Sequence, residues 1–168
     1  SDFRDIWKNT FDKKNNTSEA DWSDIDAVAE ALADSSPAGL EALGELVDLD
    51  QFLTHWALEV LVAHWDGYAG NRNNFYLYRE PGERFAFIPW GPDSSFNPIN
   101  HPFAEINDPQ SVLAHSAIPN RLYKDDAWRD AYVTRITELL DTVWDEEALL
   151  AEVDRMAAAF AACGALQC

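Results

Sequence analysis

The chain has 168 residues and a mass of 18.9 kDa, and thirty Asp and Glu against twelve Lys and Arg give a formal net charge of −18. With 47% hydrophobic and 25% charged residues, the composition is typical of a folded globular domain rather than a disordered chain. There is no apolar run of about 18 residues, so we expect no membrane span. Because the net charge repels nucleic-acid phosphates, we expect a basic protein or divalent cations as partners, and no nucleic acid.

The N-terminal part of the chain changes character at residue 23. Residues 1–22 form a polar, mixed segment, and helical periodicity begins at Ser23, a candidate N-cap. The break at 35–37 (Ser-Ser-Pro) ends this first helix. A second short helix is expected to place three leucines on one side: Leu40, Leu43 and Leu46.

A third helix is predicted to be the centre of the domain. It begins at Asp48 or Asp50, and its apolar residues cover most of the helical circumference up to Ala63. A helix that is apolar nearly all round is buried. The residues of its main apolar face are Phe52, Leu53, Trp56, Val60 and Ala63.

The hydrophobic period changes after this helix. A polar loop at 64–74 leads to two β-prone runs, FYLYR and RFAFIP, which the turn sequence EPGE joins into a predicted hairpin over 74–89. Two strands alone are marginally stable, so the hairpin must pack on helices. The proline-rich segment after residue 90 has no regular pattern, and a segment of that kind is often functional.

Two long amphipathic helices are predicted in the tail at 125–162, with Asp125 and Asp145 as N-caps. The fold class is therefore mainly α with a small β-hairpin (α+β), and the domain spans 23–162. The last segment, 163–168, carries Cys163 and Cys168, the only two cysteines. They form either a tail disulfide in an oxidising compartment or two idle thiols.

Polar residues on both sides of the hairpin suggest phosphotransfer chemistry. Asp66 lies in the polar loop, Asn71 follows five residues later, Asn74 directly precedes the first strand, and Asp93 follows the second strand. Phosphoryl transfer uses an Asp to accept the proton of the attacking hydroxyl, and an Asn and a second acid to hold the metal on the phosphates. The hairpin would bring the two loops side by side.

Each of these residues also has a structural interpretation. Asp66 could brace a glycine-rich turn, and Asp93 could initiate a Pro-Asp-Ser-Ser turn. Asn71, Asn73 and Asn74 suit left-handed turn positions as well as metal ligation, so the choice among them stays open on the residues alone. His64 is more simply a packing histidine than a proton carrier.

The central motif resembles the CotH kinase family, a group of atypical protein kinases first associated with spore coats. The motifs that carry the resemblance are WDGY at 65–68, NFYLY at 74–78 and FIPW at 87–90, and with weaker flanks the likeness covers about residues 22–160. It implies a fold similar to the helical C-terminal lobe of a protein kinase. It also implies ATP with Mg²⁺ or Mn²⁺ as cofactors and Ser or Thr of a protein substrate as acceptor.

The resemblance assigns roles residue by residue. Asp66 corresponds to the catalytic Asp of the family, and 64–74 to its catalytic loop. Asn74 is the preferred metal ligand, with Asn71 as the alternative by spacing. In the loop at 90–96 the family pattern Trp-Asp-x-Asp is only half kept, because Gly91 replaces the first acid and Asp93 remains as the second metal ligand.

Two departures from the family pattern leave two functions open. Gly91 replaces the first acid of the family pattern: if that acid is the essential metal ligand, the chain is a weakened enzyme or a pseudokinase, and if Asp93 suffices, the chemistry survives. In addition, we find no sheet lobe with a phosphate-contacting loop before residue 23. The first interpretation is a kinase lobe that is part of a larger chain. The second is a non-catalytic, pseudokinase-like surface or scaffold module that binds protein partners. The family and the tail cysteines favour an extracellular or cell-surface location.

Overall fold

The computed structural model describes residues 1–96 and 112–165, and the chain forms two compact units, Ser1–Ile136 and Thr137–Cys168. The described residues are mainly helical and contain one two-stranded antiparallel sheet, so the predicted α+β class is confirmed. The helices are α1 (Ser23–Ala33), α2 (Pro37–Leu46), α3 (Leu49–Leu61), α4 (Tyr68–Asn71), α5 (Ala117–Tyr123), α6 (Asp126–Thr142) and α7 (Glu146–Ala165), and the strands are β1 (Phe75–Tyr78) and β2 (Ala86–Pro89).

The first two helices lie close to their predicted positions, with one correction. Ser23 is the first helical residue of α1, and the N-cap position belongs to Trp22, whose side chain makes no capping hydrogen bond. Asp21 takes over part of that role, because its Oδ1 accepts the otherwise free Ser23 N–H at 2.9 Å. Helix α2 begins at Pro37, which has the preset φ suited to a first helical position. Its N-cap is Ser36, whose hydroxyl accepts the Gly39 N–H at 3.4 Å.

Helix α3 is the buried centre of the first unit, as predicted. Phe52, Trp56 and Ala57 are fully buried, whereas Leu58 is 38% exposed, so the apolar circumference is not complete. Of the two predicted starts, Asp48 is the N-cap, and its side chain accepts the Gln51 N–H at 3.2 Å.

The hairpin packs on α3, as its small size requires. Tyr76 pairs with Ile88 and Leu77 with Phe87 in the antiparallel register. The ring of Phe87 lies 4.8 Å from that of Phe52, centroid to centroid, inside the core. The Gln51 amide donates to the Phe87 carbonyl at 2.7 Å and accepts the Phe87 N–H at 2.9 Å, so a side chain of α3 takes the place of a neighbouring strand.

Three parts of the first unit were not predicted. The short helix α4 interrupts the polar loop at 64–74, and α5 follows the proline-rich segment. The N-terminal segment 1–22 includes a 3₁₀ helix at Asp5–Thr10 and buries Asp2 and Phe3 in the same compact unit. Most of the proline-rich loop, 97–111, lies outside the described residues.

The tail helices have the predicted N-caps. Asp125 Oδ1 accepts the Trp128 N–H at 3.2 Å at the start of α6. Asp145 Oδ1 accepts the Ala148 N–H at 2.9 Å at the start of α7. Cys163 lies on α7 and is disulfide-bonded, so it is not an idle thiol, and Cys168 lies outside the described residues. Within the described ranges, no helix combines the length and the apolar character needed to cross a membrane.

Candidate functional site

The loop that carries Asp66 begins with a tight reversal at the end of α3. The Ala63 N–H donates to the Val60 carbonyl and the His64 N–H to the Glu59 carbonyl, at 3.0 and 2.7 Å, which is the Schellman pattern. Ala63 occupies the left-handed position of that motif, with φ at 50°. Glycine usually fills this position, because a Cβ strains it.

Asp66 accepts hydrogen bonds from three asparagine side chains. Its Oδ1 accepts the Asn71 amide at 2.6 Å, and its Oδ2 accepts the Asn74 amide at 2.8 Å. Asn73 lies further away, at 3.5 and 3.4 Å from the two oxygens. The asparagines that the sequence left as alternatives thus surround one carboxylate and hold its plane in a defined orientation.

The second loop reaches this carboxylate through the hairpin. The Trp90 N–H donates to the Asn74 carbonyl at 3.0 Å, which extends the strand pairing by one step and brings Gly91 beside Asn74. Asn74 and Gly91 are both left-handed, with φ of 50° and 56°. Glycine and asparagine adopt this conformation more readily than other residues, so Asn74 also meets the structural interpretation of a left-handed turn position.

Asn74 and Asp93 converge on the position of Gly91. A Cβ at Gly91 would lie 3.2 Å from Asn74 Oδ1 and 3.5 Å from Asp93 Oδ1. The Asn74 amide therefore turns its nitrogen to Asp66 and its oxygen towards Gly91. Asp66 and Asn74 are therefore in direct contact, and Asp93 approaches the same glycine as Asn74.

This donor set fits a divalent cation, although it is small. Amide and carboxylate oxygens are the ligands that Mg²⁺ uses, usually one or two of them with substrate phosphates and water. Asn74 Oδ1 and the exposed Asp93 could supply them. Among the described residues there is no cluster of three His, Cys, Asp or Glu that could hold a metal without a nucleotide.

The loop is also held by a buried carboxylate that the sequence analysis missed. Glu59 is 3% exposed, and its two oxygens accept the backbone N–H groups of Tyr68 and Ala69, each at 2.8 Å. His55 Nε2 lies 3.0 Å from Glu59 Oε1, at ion-pair distance, but is not aligned for a hydrogen bond. The available signal was an acid on the largely apolar circumference of α3.

A second buried carboxylate, Asp2, joins the N-terminal segment to the same loop. Its Oδ1 accepts the Tyr68 hydroxyl at 3.2 Å and the Ala117 N–H at 3.1 Å, and Arg72 Nε lies 3.2 Å from its Oδ2. Burial, and then the charge of Asp2, raise the pKa of Tyr68 well above its ordinary value, so its hydroxyl remains a donor. The sequence carried no local signal for this role.

His64 is buried behind the loop, at 2% exposure, and in the described part of the chain neither of its ring nitrogens has a hydrogen-bond partner. This burial agrees with its interpretation as a packing residue.

The outer face of the hairpin is apolar and exposed beside the site. The rings of Tyr76 and Trp90 lie 5.4 Å apart, and they are 37% and 58% exposed. A groove of about 1000 Å³ runs along β1, with residues of segments 10–25 and 72–81 among its lining. Asn73 and Asn74 line it, so the groove reaches the Asp66 loop.

Comparison with known proteins gives one decisive match. The model of the CotH kinase protein family matches residues 2–165. The chain belongs to the CotH kinase family. The match covers more than the predicted 22–160 and includes the N-terminal segment with Asp2. Neither a curated protein nor a solved structure matches the chain.

Proposed function

We propose that this CotH family member is the phosphotransfer lobe of a kinase that moves the γ-phosphate of ATP to a Ser or Thr hydroxyl of a protein, as part of a larger chain. The observation that carries the proposal is the convergence of Asp66, Asn74 and Asp93 from three separate segments. Phosphoryl transfer depends mainly on such positioning and on charge stabilisation.

Asp66 is the proposed catalytic base. Its carboxylate accepts two short amide hydrogen bonds, from Asn71 and Asn74, which orient it towards an incoming hydroxyl. A base must lie within hydrogen-bond reach of the proton that it accepts, so a fixed orientation favours the transfer. Of the two asparagines, Asn74 is the better metal ligand, because its oxygen lies beside Gly91, which an oxygen of Asp93 also approaches.

Asn74 and Asp93 are the proposed ligands of Mg²⁺ or Mn²⁺. The cation, when bound with ATP, neutralises charge that develops on the phosphates. The adjacent faces of Tyr76 and Trp90 offer an exposed aromatic surface against which a nucleotide base can stack. The groove along β1, which is lined by both Tyr76 and Asn74, supplies space for the nucleotide.

The acceptor is proposed to be a basic region of a protein. With a net charge of −18, the chain attracts cationic segments and repels other acidic chains. Family membership, together with the two tail cysteines, supports a cell-surface or extracellular location.

A non-catalytic scaffold is the second candidate, and Gly91 favours it. Gly91 stands where the family pattern has its first acid, so the site holds one carboxylate fewer for the metal. The same domain could then bind a protein partner without transferring phosphate.

The test is phosphotransfer by the gene product that contains this chain, with labelled ATP and Mn²⁺. We expect Asp66→Ala to lower the rate about 10²- to 10⁴-fold, the usual contribution of a positioned base. Asp130→Ala, at an exposed position of α6, is the matched control and should leave the rate unchanged. Equal rates for the two variants would exclude Asp66 as the base, and no transfer by the parent would favour the scaffold.

A further inference from the structure

Glu59 contacts α4, the short helix that follows Asp66 and ends at Asn71, one of the asparagines bound to Asp66. Its two oxygens bind the N–H groups of Tyr68 and Ala69, the first two residues of α4. These donors have no partner inside a helix, so the carboxylate satisfies both of them. A negative group at a helix N-terminus is also electrostatically favourable.

The fit between Glu59 and the loop is close. A Cβ at Gly67 would lie 2.3 Å from Glu59 Oε1 and 2.5 Å from its Cδ, so only glycine leaves room for the carboxylate. Gly67 directly follows Asp66, and its carbonyl accepts the Asn71 N–H at 3.0 Å and the Asn73 N–H at 3.3 Å. Gly67 therefore connects the two groups: its α-carbon lies against Glu59, and its carbonyl binds the backbone of two asparagines that surround Asp66.

The position of α4 decides whether Asp66 keeps its partners. Asn71 is the last residue of α4, and its amide binds Asp66 Oδ1 at 2.6 Å. If the start of α4 moves, the distance from Asp66 to Asn71 changes, because the helix is a single rigid turn. Glu59 is only 3% exposed, so water cannot take the place of its carboxylate oxygens without opening the core.

We propose that Glu59 is a positioning residue for Asp66: by holding the start of α4 it sets the arrangement of the Asp66 carboxylate and its asparagine partners. The effect of Glu59 on catalysis rests on the proposed function, but its effect on the position of Asp66 and the asparagines does not. Nothing in this role requires Glu59 to touch a substrate or a metal.

The test compares two variants of this chain. Glu59→Gln keeps the shape of the side chain but presents an NH₂ group to a backbone N–H, so one of the two contacts is lost. Leu43→Ala removes a buried side chain from α2, which contributes no site residue, and serves as a control for a general loss of stability. Glu59→Asp, whose shorter side chain cannot reach both N–H groups, takes the place of the Gln variant if that one does not fold.

Two measurements report on the site. The first is the side-chain amide resonances of Asn71 and Asn74 in ¹⁵N spectra. We expect both to shift in the Glu59 variant and to stay unchanged in Leu43→Ala. The second is Mn²⁺–ATP affinity, which should fall about tenfold in the Glu59 variant, as is usual when a group that orients metal ligands is removed.

The outcomes separate this proposal from the proposed function. Unchanged amide resonances in the Glu59 variant, with a loss of thermal stability like that of Leu43→Ala, would overturn the positioning role. Shifted resonances in a chain whose wild type binds no Mn²⁺–ATP would support the positioning role and count against the proposed metal site.

Discussion

Gly67→Ala places a methyl group against a buried carboxylate. The backbone of Gly67, with φ at −78° and ψ at −174°, suits any residue, so the whole effect comes from the side chain. The new Cβ would lie 2.3 Å from Glu59 Oε1. Glu59 must then move away, and its hydrogen bonds to Tyr68 and Ala69 weaken or break.

The size of the effect follows from those two bonds. A hydrogen bond to a charged group contributes about 1.5–3 kcal/mol, so the loss is about 1.5–3 kcal/mol if one bond survives and about 3–6 kcal/mol if neither does. For a chain of this length, a loss of 3 kcal/mol lowers the melting temperature by roughly 6–12 °C. Urea unfolding followed by tryptophan fluorescence measures it.

Gly44→Ala is the matched control, because it makes the same change in the interior of α2. Its Cβ would lie 3.6 Å from Leu49 Cδ1, an ordinary contact, so we expect a gain of about 0.5–1 kcal/mol from helix propensity. If Gly67→Ala is as stable as Gly44→Ala, the buried contact with Glu59 is not as described. In Glu59→Ala the contact with the carboxylate is absent, but the new Cβ would still lie 2.8 Å from His64 Cδ2, so adding Gly67→Ala there should cost less than in the wild type while remaining destabilising.

Three further outcomes are expected from local contacts. Ala63→Gly should raise the free energy of unfolding by about 1 kcal/mol in urea, because it relieves a left-handed φ of 50°, and a loss would contradict the reversal described. Gln51→Ala should cost about 1–3 kcal/mol and speed hydrogen exchange at the Phe87 amide, whereas unchanged exchange would mean that Gln51 does not hold β2. Hydrogen bonds from Ser36 lower the pKa of Asp34 from 3.8, so its stabilisation is complete above about pH 4 and is lost as the pH falls through the lower folded value. Below pH 4, the melting temperature of Asp34→Asn should therefore fall less steeply with pH than that of the wild type. Parallel curves of melting temperature against pH for the two proteins would refute this.

Most of the main elements could be predicted because their signals are local. The apolar pattern of α3 and the turn between the strands each lie within a few residues, and the structure has both. The convergence of Asp66, Asn74 and Asp93 was also expected, because a short hairpin brings the loops at its two ends together. Their catalytic and metal roles stay predictions.

What the sequence could not indicate depends on long-range contacts. Helix α4 is one turn that contains Gly70, a poor local signal, and it is stabilised by Glu59 from nine residues upstream. Asp2 is buried through partners 66 and 115 residues away, Tyr68 and Ala117. No local period reports such contacts, so the polar segment 1–22 gave no sign of its buried residues.

The central claim is a nucleotide and metal site formed by Asn74 and Asp93. Calorimetric titration of this chain with ATP and Mn²⁺ tests it most directly, with Asp93→Asn and Gly91→Asp as variants. We expect binding that weakens in Asp93→Asn and strengthens in Gly91→Asp, because the second variant adds a carboxylate beside Asn74 and Asp93. The left-handed backbone at position 91, with φ at 56°, should also lower the thermal stability of Gly91→Asp. The same titration curve for all three proteins, or no binding by any of them, would contradict the claim.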